Sequence, residues 1–130
     1  MFIDANVFII AYLDSQERGK RARALLEKIK NGEQNAITSA LVMNEALYRL
    51  KELRGIEMME RIYRNISSLE HLTILPIDGK VIGASMVYIR GGLDVSDAFH
   101  AATMKIAHVD TICSFDEGFD KAKGIRRQTP

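Results

Sequence analysis

Short apolar runs alternate with longer stretches of helical period along this chain. The apolar runs predict strands over residues 2–3, 36–38, 73–77 and 111–115. The longer stretches predict helices over residues 19–31, 40–54 and 58–66, after residue 78, and from residues 94–97 onward. Strands separated by helices in this order indicate parallel pairing through right-handed crossovers. We therefore predict an α/β fold, a three-layer α/β/α sandwich around a mostly parallel central sheet.

Length and composition narrow the class of protein. The 130 residues, 47% hydrophobic and 27% charged, are sufficient for one globular domain, which we place over residues 1–130, and they exclude a disordered or collagen-like chain. The lone cysteine, Cys113, has no partner for an intramolecular disulfide and fits a reducing compartment. The apolar run over residues 7–13 is too short for a membrane span. We expect a cytoplasmic protein with no membrane anchor.

The charge balance is nearly neutral. The chain has 18 Lys and Arg against 17 Asp and Glu, a net charge of +1, so the total shows no excess of basic groups of the kind that nucleic-acid binding proteins use. That total also averages over any acidic residues gathered in one pocket. Taken at face value, the total argues mildly against nucleic acid as a partner, and an acidic pocket would remove that argument.

Several acidic residues fall where an α/β sheet binds its ligands. Asp4 and Asp116 each follow a predicted strand, and ligands bind outside the carboxyl ends of parallel strands. Asp97 opens a predicted helix that packs over the same edge. Each has a simpler explanation when taken alone, because Asp is a favoured helix N-cap and stabilises a first helical turn. Asp78 also ends a strand, and we assign it only that capping role.

Glu45 has a simple explanation of its own, as one end of a solvated pair with Arg49 four residues later. The expected convergence of these acids favours a functional explanation over the simpler ones, because several carboxylates in one cleft repel each other unless cations neutralise them. Hard oxygen ligands suit Mg²⁺ or Mn²⁺, and such sites hydrolyse phosphodiesters. The acidic residues therefore predict a divalent-metal site for phosphodiester chemistry.

Four segments of the chain resemble PIN-domain proteins, in that family's order and spacing. They are residues 1–9, 38–45, 92–103 and 114–120, the last followed by residues 124–126. The resemblance covers essentially the whole chain and is greatest to short, single-domain VapC-type toxins. It implies endonucleolytic cleavage of RNA with Mg²⁺ or Mn²⁺ as cofactor. It also implies a homodimer, and a small antitoxin protein that occupies the active-site groove.

The resemblance assigns roles to individual residues. The implied acidic set, both catalytic and metal-binding, is Asp4, Glu45, Asp97 and Asp116. Asn6 and Ser114 are implied to orient ligands or waters around it. Asp94, three residues before Asp97, is an alternative ligand, although the context of residues 97–102 favours Asp97. The best candidates for phosphate contacts are Arg126 and Arg127, after the turn that follows Asp116.

Three other functions fit parts of the sequence. A phosphatase of the haloacid-dehalogenase type would use Asp4 as nucleophile and Ser39 to bind phosphate, but that family has a second Asp where this chain has Asn6. A cysteine hydrolase would need Cys113 as its nucleophile, with His100 and Asp97. A non-catalytic PIN scaffold that binds RNA or protein is expected to have lost one or more acids, and all four are present here.

Overall fold

The computed structural model describes residues 1–130 and has five strands, six α-helices and one 3₁₀ helix. In chain order these are β1 (Phe2–Ile3), α1 (Ala5–Leu13), α2 (Glu17–Lys30), β2 (Ala36–Ser39), α3 (Ala40–Arg54), α4 (Ile56–Ser67), β3 (Leu72–Leu75), α5 (Gly79–Arg90), α6 (Val95–Ile106), β4 (Thr111–Cys113), the 3₁₀ helix Glu117–Lys121 and β5 (Arg126–Gln128). The strands form one sheet in the order β3-β2-β1-β4-β5, and every pair is parallel. The predicted α/β sandwich with a parallel sheet is confirmed.

The centre of the sheet is a strand of two residues. Phe2 and Ile3 of β1 are fully buried, as expected for a parallel strand covered on both faces. Ile3 pairs with Cys113 of β4, and the backbone N–H of Asp4 donates to the Cys113 carbonyl at 3.1 Å. This register places the residues that follow β1 and β4 side by side at the carboxyl edge of the sheet. None of the helices is long and apolar enough to cross a membrane.

Two elements are absent from the sequence prediction. Helix α1 is apolar almost throughout, with Val7 and Phe8 fully buried and Ile9 and Ile10 half-buried, so it lacks the polar face that identifies a surface helix. Strand β5 consists of Arg126, Arg127 and Gln128, which carry no apolar pattern. It is a strand because its backbone pairs with β4, and that pairing is a tertiary contact.

The predicted capping role of Asp78 is confirmed and leads to a stability prediction. Its Oδ1 accepts from the backbone N–H groups of Lys80 at 3.0 Å and Val81 at 3.1 Å, whereas Asp94 stands at the N-cap of α6 without a side-chain capping bond. We expect Asp78→Ala to lower the free energy of unfolding by about 1 kcal/mol, because two helical N–H groups lose their acceptor. Asp94→Ala, the matched control, is expected to lose less than about 0.5 kcal/mol. Urea unfolding measures both, and equal losses would contradict the assignment.

Candidate active site

Asp4 lies buried at the carboxyl end of β1, with 6% of its surface exposed. Its Oδ1 accepts from the backbone N–H of Ala5 at 2.7 Å, so the residue caps α1. Its Oδ2 accepts from Nδ2 of Asn6 at 2.7 Å and from Oγ of Ser114 at 2.6 Å. The capping explanation is therefore correct for this carboxylate, and its role as a metal ligand stays a prediction.

Asn6 and Ser114 join the end of β1 to the segment after β4. Nδ2 of Asn6 is 3.0 Å from Oγ of Ser114, and Oδ1 of Asn6 accepts from the backbone N–H of Phe115 at 3.1 Å. The Ser114 hydroxyl also accepts from the backbone N–H of Asp116 at 2.9 Å. Both residues contact Asp4 directly, as orienting groups must. Their part in orienting a ligand or water stays a prediction.

Glu45 points from α3 toward α6. Its Oε1 accepts from the hydroxyl of Ser96, and its Oε2 lies 3.2 Å from Nε2 of His100. The solvated pair with Arg49 does not form, because Nη1 of Arg49 is 3.3 Å from Oε2 of Glu52 instead. The structure therefore brings Glu45 into the acidic cleft.

Asp97 and Asp116 complete the cluster from two different elements. Oδ1 of Asp116 accepts from the backbone N–H of Gly118 at 2.8 Å and so caps the 3₁₀ helix. A Cβ added at Gly118 would lie 3.2 Å from that oxygen and 3.5 Å from Oδ2 of Asp97. The two carboxylates thus flank the bare backbone of Gly118. Asp94 is exposed, while Asp97 is half-buried and lies close enough to Asp116 and Asp4 for their charges to act on it.

Burial and mutual repulsion shape the titration of the cluster. Burial raises the pKa of Asp4, against the hydrogen bond from Ser114. Burial also raises the pKa of Asp97, and the negative charges of Asp116 and Asp4 add to that rise. For Glu45 burial acts in the same direction, but hydrogen bonds from His100 and Ser96 more than offset it, so its pKa is lowered. Glu45 is the acid whose charge the protein itself stabilises.

The cluster has the character of a cation site. None of Asp4, Asp97 and Asp116 forms an ion pair with a Lys or Arg side chain. One ligand atom from each of Asp4, Glu45 and His100 lies within 4.8 Å of the others. Carboxylate oxygens without a protein cation beside them are the donors that Mg²⁺ and Mn²⁺ prefer. The residues present fit the divalent ion that the family resemblance implies.

The two arginines predicted to contact phosphate lie apart from the acids or are already paired. Arg126 begins β5 at the amino edge of the sheet, where its Nη2 is 3.0 Å from Oδ2 of Asp110. Nε of Arg127 is 2.7 Å from Oδ1 of Asp120, although Nη1 also reaches the Ser114 carbonyl at 3.4 Å. The structure brings only Arg127 near the acidic edge.

A different arginine borders the acids. The Cζ of Arg18 in α2 sits 4.7 Å from the centroid of the Phe115 ring, in cation–π geometry, next to Asp116 in the chain. In the sequence Arg18 belongs to a basic stretch with Lys20, Arg21 and Arg23, which does not distinguish it from a solvated helix face. Its place depends on how α2 packs against the segment after β4, which has no local signal.

The structure disfavours two of the alternative functions, the phosphatase and the cysteine hydrolase. Ser39 is fully buried, and its hydroxyl accepts from the backbone N–H of Val42 as the N-cap of α3, so it offers no open phosphate contact. Cys113 is fully buried within β4, and burial raises the pKa of its thiol to about 12. A thiolate nucleophile is therefore disfavoured.

Comparison with known proteins agrees with this geometry. The family model described as PIN domain matches residues 1–125 of this chain. The chain belongs to the PIN domain family. Ribonuclease VapC13 of Mycobacterium tuberculosis is 28% identical to this PIN-domain chain over 129 residues, which is 98% of each protein.

Solved structures share the fold at lower identity. VapC20 of Mycobacterium tuberculosis, described as a sarcin-ricin loop cleaving toxin, superposes with a TM-score of 0.80 at 16% identity and covers 99% of this chain and 98% of its own. A toxin–antitoxin complex from Klebsiella pneumoniae gives a TM-score of 0.68 at 18% identity, covering 96% of this chain and 94% of that one. FitAcB from Neisseria gonorrhoeae gives a TM-score of 0.73 at 20% identity, and the match covers 99% of this chain and 96% of that one.

The opposite pKa shifts of Asp97 and Glu45 predict opposite stability effects. A raised folded-state pKa gives Asp97 a contribution that is present below its usual pKa of 3.8 and lost as the pH rises through the raised value. We expect Asp97→Asn to raise the Tm of the EDTA-treated protein at pH 7, by an increment that shrinks toward pH 4. The lowered pKa of Glu45 means that Glu45→Gln should lower the Tm at pH 7. Scanning calorimetry measures the Tm of both variants, and Tm shifts of the same sign would refute this electrostatic explanation.

Proposed function

We propose that this PIN-domain protein is a Mg²⁺- or Mn²⁺-dependent endoribonuclease that hydrolyses RNA phosphodiester bonds in the cytoplasm. The observation that carries the proposal is the meeting of Asp4, Glu45, Asp97 and Asp116 at one edge of the sheet, where no Lys or Arg pairs with them. Similarity to Ribonuclease VapC13 along nearly the full length of both proteins supports RNA as the substrate.

Each acid has a defined part in the proposed reaction. Asp4, Asp97 and Asp116 would hold one or two ions, and Glu45 would complete the site directly or through water. A divalent ion held by these residues would lower the pKa of a bound water and would neutralise the charge that develops on the phosphate and leaving oxygen. Because water attacks rather than the ribose 2′-hydroxyl, the products would carry 5′-phosphate and 3′-hydroxyl ends.

The surrounding residues fix the orientation of Asp4 and leave space beside Asp97 and Asp116. Asn6 and Ser114 both donate to Oδ2 of Asp4, which fixes the carboxylate against rotation. Gly118 leaves space beside Asp97 and Asp116, where an added Cβ would crowd Oδ1 of Asp116 at 3.2 Å and contact Oδ2 of Asp97 at 3.5 Å. Arg18, held over Phe115 at the border of the acids, would contact an RNA phosphate.

Cleavage of RNA tests the proposal directly. Purified protein incubated with total RNA and Mn²⁺ is expected to produce fragments with 5′-phosphate ends, and EDTA should abolish them. Asp4→Asn should reduce cleavage by roughly 100-fold or more, since it removes a ligand charge from the metal site. Asp78→Asn, which changes an acid whose side chain only caps α5, should cleave normally. Mapping of the fragment ends provides the readout.

Two results would count against this mechanism. Fragments that end in a 2′,3′-cyclic phosphate would mean that the ribose hydroxyl attacks. Tight binding of RNA in Mn²⁺ without any cleavage would favour the non-catalytic scaffold.

The same proposal includes protein partners. The toxin–antitoxin complex from Klebsiella pneumoniae shares this fold, and we propose that the chain is the toxin of a VapBC-type pair and forms a homodimer. Exposed apolar side chains on α5, Ile82, Met86 and Val87, suit burial in such contacts.

Expression together with the neighbouring gene of its native operon is expected to yield a complex that cleaves RNA more slowly than the free protein. Light scattering should give about twice the 14.6 kDa of one chain for the free protein. A monomer that co-purifies with no small protein would refute both partner assignments.

A further inference from the structure

His100 is buried at the centre of the acidic cluster. It lies on α6 with 2% of its surface exposed, and its ring packs between Phe2 and Phe119, at centroid distances of 5.8 Å and 6.4 Å. Its Nε2 is 3.2 Å from Oε2 of Glu45. From the sequence alone, a packed or helix-surface histidine is a better explanation of His100 than a metal ligand.

The neighbours of His100 belong to all four acid-bearing segments. Phe2 lies two residues before Asp4 on β1, and Phe119 lies three residues after Asp116 in the 3₁₀ helix. Glu45 of α3 is its hydrogen-bond partner, and Asp97 precedes it by about one turn of α6. The position of this ring is therefore linked to the positions of the segments that carry every proposed metal ligand.

The other ring nitrogen indicates how Nε2 is used. Nδ1 is buried and has no hydrogen-bond partner. If Nε2 bound a metal ion through its lone pair, Nδ1 would carry the proton and be a buried donor without an acceptor, whereas metal-binding histidines almost always donate from their second nitrogen. If Nε2–H donates to Glu45, Nδ1 keeps only a lone pair among aromatic rings. The surroundings favour donation to Glu45.

Ser96 completes the hold on Glu45. It precedes His100 by four residues, so both side chains lie on one face of α6. Its hydroxyl donates to Oε1 while His100 donates to Oε2, and each carboxylate oxygen thus has its own donor. A glutamate side chain in solution samples many rotamers, and these two bonds restrict it to one orientation.

We infer that His100 is a positioning residue, which holds Glu45 in register with Asp4, Asp97 and Asp116 through its Nε2–H and does not itself bind the metal. The inference rests on the metal site of the proposed function. It predicts that the hydrogen bond, and not the imidazole as such, is what the site requires.

Two substitutions separate the hydrogen bond from the ring. His100→Gln places an amide N–H the same number of bonds from Cβ as Nε2, and His100→Leu fills similar space without a donor. His71→Gln is the matched control, because His71 contacts Asn35 away from the acids. Calorimetric titration of the metal-free protein with Mn²⁺, without RNA, gives the affinity, and cleavage of a defined RNA gives kcat and KM separately.

We expect His100→Leu to weaken Mn²⁺ binding or to lower kcat by roughly 10- to 100-fold, as losses around a metal site commonly do, with KM for RNA little changed. His100→Gln should restore both quantities to near wild-type values, and His71→Gln should leave them unaltered. Wild-type affinity and kcat in His100→Leu would overturn the inference and leave only a packing role.

Loss of Mn²⁺ binding in His100→Gln would also overturn it, because the imidazole would then be a metal ligand. That variant decides alone if His100→Leu does not fold, as judged by circular dichroism. Absence of RNA cleavage by the wild-type protein would refute the proposed function only, since the Mn²⁺ titrations still compare the variants.

Discussion

Repulsion between carboxylates at one edge of a parallel sheet is the constraint on which the rest of this structure depends. Asp4 is buried at the end of the central strand, and burial together with the negative charges of Asp116 and Asp4 raises the pKa of Asp97. Nothing in packing alone favours such an arrangement, because burial of like charges costs free energy. The fold tolerates it through hydrogen bonds to the individual acids, and a divalent ion would complete the compensation.

Hydrogen bonds compensate for burial to different extents among the acids, and this difference distinguishes Glu45 from Asp4. Glu45 receives donors on both oxygens from α6, so its pKa is lowered despite burial. Asp4 receives three donors, yet its pKa is still raised. The protein thus stabilises the charge of Glu45, whereas the charges of Asp4 and Asp97 would be stabilised by the proposed ion. Stability given up at a site in this way is common where a ligand is to be bound.

The acidic edge also changes the meaning of the near-neutral charge. Once Asp4, Glu45, Asp97 and Asp116 are assigned to the pocket, the remaining acids are clearly outnumbered by the 18 Lys and Arg. Some of those basic groups are already paired, as Arg126 is with Asp110. Others, such as Arg18, lie free of ion pairs at the border of the acids. The overall balance of +1 therefore combines four acids in one cluster with an excess of basic residues in the rest of the chain, and a nucleic-acid substrate is compatible with it.

The sequence by itself determined the fold class, because alternating apolar runs and amphipathic stretches follow from local periodicity. It also determined which acids terminate strands, and so the edge at which Asp4 and Asp116 lie. It missed α1, whose apolar residues are surrounded by protein, and β5, whose polar residues are ordered only by pairing with β4. Only the tertiary structure decided that Glu45 turns from Arg49 to Ser96 and His100 on α6, and that Arg126 faces the opposite edge. The reason is physical: which of several nearby partners a charged side chain selects depends on how helices and strands distant in sequence pack, and no local pattern encodes that choice.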